Sequence, residues 1–459
     1  MPLPPLVTSP SHWLFGPAYH IRREPLTYLP RWFEEYGELF RIRSPLGSAV
    51  MVGAPQLAQQ VLVDRYSRYQ KKSRAYNVLR ILMGNGLVTS EGEFWRSQRK
   101  LLQPAFHRRR LEALCAMMVD RTTAVLKRLG AAAAAGQPLE LVPLLSQLTL
   151  DIITRAMFSS DVQGAAAGVS HHIGVLNEYA LRLLRQPWRF LLPHRIPTPF
   201  NSRQYRSFTA LNAMVADILR ERRRQPEAHD DLLSMLLSAC ADETGRGMSD
   251  AQLRDEVMTI FVAGHETTAN SMAWLLHAVA GHPEVEQRMV AEIDALWPEG
   301  GLTPAHLPAF RYTQQVIEEV LRLYPTIWSV GRNCTETDDL GGYEIPVGMN
   351  LVVPIFHFHW SERFWSQPQQ FDPDRFAPDR RPPPEPLIYF PFGAGPRSCI
   401  GNHFALQELM LMTLLFHRHF QFRPAGAAVI PDPLITLRPR GGLTMHVRPR
   451  TGLLKATHA

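Results

Sequence analysis

The stretch from Ser249 to about Ala280 reads as one helix, and its length limits what the chain can become. Ser249, followed three residues on by Gln252, matches a reciprocal cap at the start, and Gly281 with Pro283 supplies the stop. At 1.5 Å rise per residue such a helix extends roughly 45 Å, the width of a whole domain, so it must cross the protein centre. Its middle, Ala263-Gly264-His265-Glu266-Thr267-Thr268, has to meet something there. Gly264 costs about 1 kcal/mol in a helix interior, which points to close approach of another body or to a local opening. An acid (Glu266) and an alcohol (Thr267) beside it can pass protons, directly or through water. A plainer alternative stays open, in which the threonine bonds a carbonyl one turn back and the glutamate is an ordinary ion-pair partner. His265-Glu266 also begins a zinc-protease pattern, but the required second histidine falls at Ala269 and excludes it.

Around this helix the chain is predicted to be mainly α with a smaller β lobe (α+β). Residues from Trp95 to about Val320 carry apolar positions three and four apart, the helical period. The first hundred residues mix short helices with strand-like pieces, Glu38 to Ile42 and Ala49 to Val52, divided by Gly and Pro. After residue 325 the chain turns rich in Pro, Gly and short β-like pieces until a last apolar helix, Gly401 to about His419. The expectation is one domain over 1–459, with a part-β lobe at about 1–75 and a helical body over 76–459. Gly130 to Pro138, Gly164 to Gly168 and the proline-rich Gln186 to Pro199 read as connectors, and no internal repeat is apparent.

Composition removes several function classes. The net charge of +7 is scattered, and its densest cluster, Arg108 to Arg110, lacks the interleaved aromatics of a nucleic-acid groove. The 4 cysteines form no CxxC pair, so neither a zinc ribbon nor a disulfide framework is indicated, and a reducing cytoplasm fits. The proline-bearing N-terminus has neither a basic start nor a long apolar run, and no later segment reaches about 18 uninterrupted apolar residues. A soluble cytoplasmic chain without a membrane anchor is expected. His171-His172 are expected to point apart on a helix, and His357 and His359 to sit in an apolar strand-like run; both pairs read as satisfied or solvated rather than metal-binding.

Residues 392 to 401 read FGAGPRSCIG, a glycine-rich loop delivering Cys399 just before an apolar helix. Backbone N–H groups, the positive end of that helix and Arg397 all lower a thiol pKa; Gly393, Gly395 and Gly401 permit close backbone approach, and Phe392 can shield the sulfur. By itself Cys399 could equally be a buried structural cysteine in a turn. The segment closely resembles the signature of the cytochrome P450 superfamily, with Phe, Gly, Arg, Cys and Gly at the family's five relative positions. AGHETT resembles the same family's oxygen-activating groove. Glu319 and Arg322 in EEVLRLYP, an i,i+3 pair worth only roughly 0.2 to 0.5 kcal/mol if exposed, together with Arg375 in FDPDRF resemble its Glu-x-x-Arg motif and arginine partner. Trp95 and Arg99 in FWRSQRKLLQPAF, and Arg332, resemble its propionate contacts. The five motifs run in the family's order from Trp95 to Gly401 and cover nearly the full chain.

The resemblance implies a cytochrome P450-like fold whose long helix crosses over a haem b, with Cys399 as axial iron ligand and Trp95, Arg99, Arg332, Phe392 and Arg397 as haem contacts. It implies Glu266 and Thr267 as the catalytic acid and alcohol, and Glu319, Arg322 and Arg375 as a buried structural triad. The pocket is expected to be lined by Val78, Leu79, Leu82, Phe261, Ala263, Ile327 and Trp328. The implied activity is a bacterial-type monooxygenase that uses O2 to hydroxylate or epoxidise an apolar fatty acid, terpene or polyketide type molecule. No nicotinamide or flavin fingerprint occurs, so electrons from NAD(P)H would arrive through a ferredoxin or flavodoxin and its reductase, docking on Arg96, Lys100 and Arg108 to Arg110 of a monomeric chain. Two alternatives keep the fold: a peroxide-using or isomerising enzyme, against which the retention of Glu266 and Thr267 argues, and a non-catalytic haem sensor or carrier.

Overall fold

The computed structural model describes residues 18–44, 47–158, 171–176, 178–180, 182–183, 198–224, 231–239, 248–426 and 428–450. The Gly164 to Gly168 tract, nearly all of Gln186 to Pro199, and Cys240 lie outside them. Helices of eight residues or more are α1 (Pro25–Tyr36), α2 (Arg74–Met83), α3 (Gly92–Leu102), α4 (Cys115–Ala135), α5 (Leu141–Phe158), α6 (Pro199–Arg224), α7 (Leu232–Ala239), α8 (Asp250–Ala280), α9 (Pro283–Leu296), α10 (Arg311–Leu323) and α11 (Asn402–His419). The strands are β1 (Leu39–Ser44), β2 (Gly47–Val52), β3 (Tyr69–Gln70), β4 (Leu139–Glu140), β5 (Val330–Cys334), β6 (Asp338–Leu340), β7 (Tyr343–Ile345), β8 (Asn350–Val353), β9 (Phe420–Pro424), β10 (Pro431–Pro433), β11 (Leu437–Pro439) and β12 (Thr444–Pro449).

The protein is thus mainly helical with a smaller β lobe. The lobe's principal sheet has the order β1-β2-β8-β5-β3, in which β2 and β8 run parallel with Val50 opposite Leu351, and the other pairs are antiparallel. It draws three strands from the start of the chain and two from its last third. A second sheet, β4-β12-β9, and the hairpins β6-β7 and β10-β11 complete the β structure.

Helix α8 has the bounds its caps dictate. Gln252 N–H donates to the Ser249 hydroxyl at 3.3 Å, and Ser249 N–H donates back to Gln252 Oε1 at 2.8 Å. The helix is buried on nearly all sides, packed against α2, α5, α6, α10 and α11. Helix α5 packs on it at Gly264, where an added Cβ would find only ordinary contact with Ile153 at 3.4 Å. The glycine is not demanded by a close approach there; it lies on a partly open stretch of the helix. Helix α5 is also long and apolar enough to cross a membrane, but 67% of it is buried inside the protein.

The segment before α3 embraces the first half of α8 and depends on two glycines. Gly84 has φ +61°, and a Cβ there would sit 2.2 Å from the Asp255 carboxylate; at Gly86 it would sit 2.1 Å from Thr259 Oγ1. Between them Asn85 N–H donates to Asp255 at 2.7 Å, and just after them Leu87 N–H donates to Glu256 at 2.9 Å. Glu256 is fully buried, its other oxygen has no partner, and burial pushes its pKa up to about 7.

Glu319, Arg322 and Arg375 meet under α10. Arg322 grips the Glu319 carboxylate with two hydrogen bonds of 2.7 and 2.8 Å and donates to the His359 carbonyl at 2.6 Å. Arg375 Nε lies 3.4 Å from the same carboxylate, and Asp372 N–H donates to it at 3.0 Å. With Glu319 and Arg322 wholly buried, these bonds are what makes the pair tolerable in a medium of low dielectric.

Two histidine expectations need correction. The run holding His357 and His359 is a short helix, Ile355–Trp360, not a strand, because Pro354 ends β8 and the following side chains are buried in succession around the backbone. His357 stacks on Phe33 at 3.9 Å, while His359 Nδ1 donates to the Arg322 carbonyl and Nε2 accepts from Phe390 N–H, each at 3.1 Å. His171 and His172 do not point apart either; their rings meet edge to face at 5.3 Å. No group of three metal-ligating side chains occurs among the described residues.

Glu256 makes stability depend on pH. Its folded pKa, about 7, lies above the ordinary carboxyl value of 4.5, so as pH rises the unfolded chain releases this proton first. Stability is therefore lost between those two values and stays lost above the upper one. Glu256→Gln should remove that loss and leave the variant up to roughly 3 kcal/mol more stable at pH 8. Unfolding midpoints of both proteins from pH 5 to pH 8 check this; parallel curves would contradict it.

Candidate active site

Cys399 sits on a loop whose backbone only glycine can supply. Gly393 and Gly395 have φ of +73° and +67°, and a Cβ on Gly395 would stand 2.2 Å from the Leu62 carbonyl oxygen. Gly401 is less demanding, since its Cβ would find only ordinary contact with Phe106 at 3.9 Å. The loop closes through Cys399 N–H donating to the Phe392 carbonyl at 2.9 Å. Phe392 itself packs half-buried against the main core.

The sulfur combines two properties that rarely coincide. Protein mass surrounds Cys399, so desolvation pushes its thiol pKa up, yet the side chain is open to solvent. A residue that is deep and open faces an internal cleft rather than the outer surface. The Gly401 N–H favours the thiolate as expected, but the cations that do so are Arg99 and Lys71 rather than Arg397, which is turned to Glu91 and Ser90, and desolvation outweighs them all. A cation directly on the sulfur would reverse that balance.

Beside the cleft, positive charge is in surplus. Lys71, Arg99, Arg332 and Arg397 act on one another, and burial together with the neighbouring arginines holds the Lys71 ammonium well below its ordinary pKa. The acid among them is Glu91, which accepts from Lys71 N–H at 2.7 Å and pairs with Arg397. Arg397 also donates to the Ser90 carbonyl at 2.9 Å, and its guanidinium lies 3.8 Å over the Trp95 ring. Burial lowers its pKa to about 10. Arg99 turns to the Ser398 carbonyl at 2.7 Å, so it braces the cysteine loop. Arg397 Nη1 and Arg332 Nε are buried without a partner. Orphaned guanidinium donors among four cations and one acid call for anionic oxygens, and a haem with two propionates fits this donor set. Lys71, Ser90 and Glu91 belong to no motif and were not singled out in the sequence.

The face of α8 that stays partly open carries Ala263, Gly264, Glu266 and Thr267, at spacings of one helical side. Around it the carbonyls of Phe261, Ala263, Gly264 and His265 accept from His265, Thr267, Thr268 and Thr149 at 2.8, 2.7, 3.2 and 2.9 Å. The threonine bond to the carbonyl one turn back is thus real, and it leaves the Thr267 oxygen at the opening. Thr436 donates to Glu266 Oε1 at 2.8 Å from the turn between β10 and β11, a contact between residues 170 apart in sequence. Below, Glu408 of α11 is fully buried, bonded to Thr268 and held well above its ordinary pKa by desolvation.

The pocket candidates divide. Leu79, Ala263, Ile327 and Trp328 keep open surface, and Leu434 and Ile435 of the β10-β11 turn join them. Val78, Leu82 and Phe261 do not; they are 0%, 1% and 1% exposed, because their side of α2 and α8 is taken up by core packing, including the Phe158 ring 5.3 Å from Phe261.

A family model described as Cytochrome P450 matches residues 4–450. The chain is 34% identical to the cyclooctat-9-en-7-ol 5-monooxygenase of Streptomyces melanosporofaciens, over 95% of this chain and 94% of the relative. It is also 34% identical to the pentalenene oxygenase of Streptomyces avermitilis, over 95% of each chain. Among solved structures, the crystal structure of the cytochrome P450DA heme domain superposes with a TM-score of 0.86 at 26% identity, covering 98% of both chains.

The orphaned Arg332 nitrogen gives a direct test. Arg332→Leu should speed haem loss to a scavenger protein about tenfold, the effect of removing one charged hydrogen-bond partner, while the thermal midpoint of the haem-stripped chain stays put. Unchanged haem release would remove Arg332 from the propionate set.

Proposed function

The chain belongs to the cytochrome P450 family and is a monooxygenase, and on that premise we propose that it oxidises a terpene-type apolar molecule with electrons delivered by a separate small protein. The observation that carries the reading is the partly open stretch of α8, where an otherwise buried helix presents Ala263, Gly264, Glu266 and Thr267 to the interior.

A haem held through Cys399 Sγ would supply the redox centre at which two electrons reduce dioxygen. The chain's residues do the rest. The glycine loop fixes the sulfur at the start of α11, with the Gly401 N–H and the charges of Arg99 and Lys71 favouring its ionised form. Arg332, Arg397 and Lys71 would hold the carboxylates of the cofactor, with the Arg397 guanidinium stacked on the Trp95 ring. Ala263 and Gly264 keep the opening free of side chains. Thr267, its proton engaged with the Ala263 carbonyl at 2.7 Å, offers its oxygen as an acceptor that would orient a water in the opening, and Glu266 would pass protons to that water.

Leu79, Ile327, Trp328, Leu434 and Ile435 give the substrate an apolar wall with few hydrogen-bonding groups, which suits a hydrocarbon skeleton. The names of the two Streptomyces relatives support a terpene over a fatty acid or polyketide. NAD(P)H would supply the electrons through a ferredoxin or flavodoxin. Lys100, His107 and Arg109 line a surface cleft of about 790 Å3, a basic face for an acidic donor, whereas Arg96 and Arg108 are paired with Glu93 and Glu112. Among the described residues the large exposed apolar side chains are scattered in sequence, which supports a monomer in the cytoplasm.

Reduced protein under carbon monoxide should give a strongly red-shifted Soret band that is lost in Cys399→Ser, and pentalenene should displace the resting spectrum more than a straight-chain fatty acid does. A blue-lying band in the parent would remove the thiolate, and preference for the fatty acid would remove the terpene. Charge reversal at Lys100 and Arg109 should slow reduction by an acidic ferredoxin roughly tenfold at low salt and far less at high salt. Stopped-flow rates equal to the parent's at low salt would move the docking face elsewhere.

A further inference from the structure

The turn between β10 and β11 reaches into the interior with two kinds of residue. Leu434 and Ile435 keep open surface beside Trp328, while Thr436 is buried and turned to α8. Its backbone is tied down on every side. Trp328 Nε1 donates to the Leu434 carbonyl at 2.8 Å, Trp274 Nε1 to the Leu437 carbonyl at 3.0 Å, and Leu437 N–H to the Thr326 carbonyl at 2.8 Å. Leu434 N–H closes the turn on the Thr436 carbonyl at 3.2 Å.

The Thr436 hydroxyl is oriented by its two neighbours. Asn270 Nδ2 has only hydrogens to give and donates to Thr436 Oγ1 at 3.3 Å, so the oxygen's own proton points to Glu266 Oε1, 2.8 Å away. Asn270 lies one turn along α8 from Glu266, and both Asn270 and Thr436 are buried. The result is a directed chain, Asn270 to Thr436 to Glu266, which fixes one carboxylate oxygen against the turn.

From this geometry we infer that Thr436 is a positioning residue for Glu266, delivered to α8 by a turn whose backbone is fixed by Trp328, Trp274 and Thr326. The inference rests on the reading of Glu266 as proton source. The turn, fixed by its own backbone bonds, holds the carboxylate in place. The hydroxyl takes no part in the transfer itself.

The test compares Thr436→Val, which keeps shape and removes the hydroxyl, with Thr436→Ser, which keeps the hydroxyl, in the holoenzyme driven by a surrogate ferredoxin and reductase with pentalenene as probe. Thr436→Val should raise hydrogen peroxide released per NADPH roughly fivefold at a near-parental rate of NADPH use, and Thr436→Ser should restore the parental ratio. In a Glu266→Gln background the valine change should add nothing to the ratio, and the losses in thermal midpoint from the two substitutions should fall short of additive. A parental ratio in Thr436→Val, or full additivity in both measurements, overturns the inference while a raised ratio in Glu266→Gln keeps the acid in its role. A parental ratio in Glu266→Gln overturns the reading of Glu266 itself.

Discussion

A 31-residue helix buried on almost every side has no water to satisfy its polar atoms and no solvent to absorb a misfit, and the protein is arranged around that condition in α8. Each intrusion is answered locally. Glycines at positions 84 and 86 let a loop lie flat against Asp255 and Thr259. Hydroxyls from Thr149, Thr267 and Thr268 end on carbonyls of the helix itself. What remains open along α8 is small, and its side chains are those a proton path would use.

A second condition, set by charge, works beside the first. Four cations and one acid around a recess store unmet hydrogen-bonding capacity, and the Cys399 thiol, deep yet open to solvent, stays neutral through desolvation unless a cation meets the sulfur. The two demands are opposite in sign and lie on one side of the molecule, so a single ligand bearing a metal and two carboxylates answers both. Docking such a ligand removes a strain of solvation rather than adding contacts to a finished surface.

Much of this was legible in the residues. The bounds of α8 follow from Ser249, Gln252 and Gly281, and the loop at Cys399 from its glycines, because caps and positive φ values are local properties that a short run of sequence specifies. The small β lobe was visible, but not that β5 and β8 would join β1 to β3 in it. Local signals also do not say which side of a helix meets which neighbour. Val78, Leu82 and Phe261 have the apolar character of pocket residues, and only the packing of α2 on α8 turned them inward. Lys71, Glu91 and Thr436 were missed for the same reason, since each acquires its role from a partner in a distant segment and none carries a spacing pattern of its own.

The β lobe has a consequence for synthesis. Its principal sheet places β8 and β5, which begin at Asn350 and Val330, between strands made within the first seventy residues. On a ribosome the early strands emerge with a gap where their partners belong, and the apolar faces of Val50 and Val52 wait for more than three-quarters of the chain to be made. The sheet closes only after Asn350 has been made. The exposed interval is a property of connectivity alone, and it marks β1 and β2 as the region for which a nascent chain of this type most needs protection by chaperones.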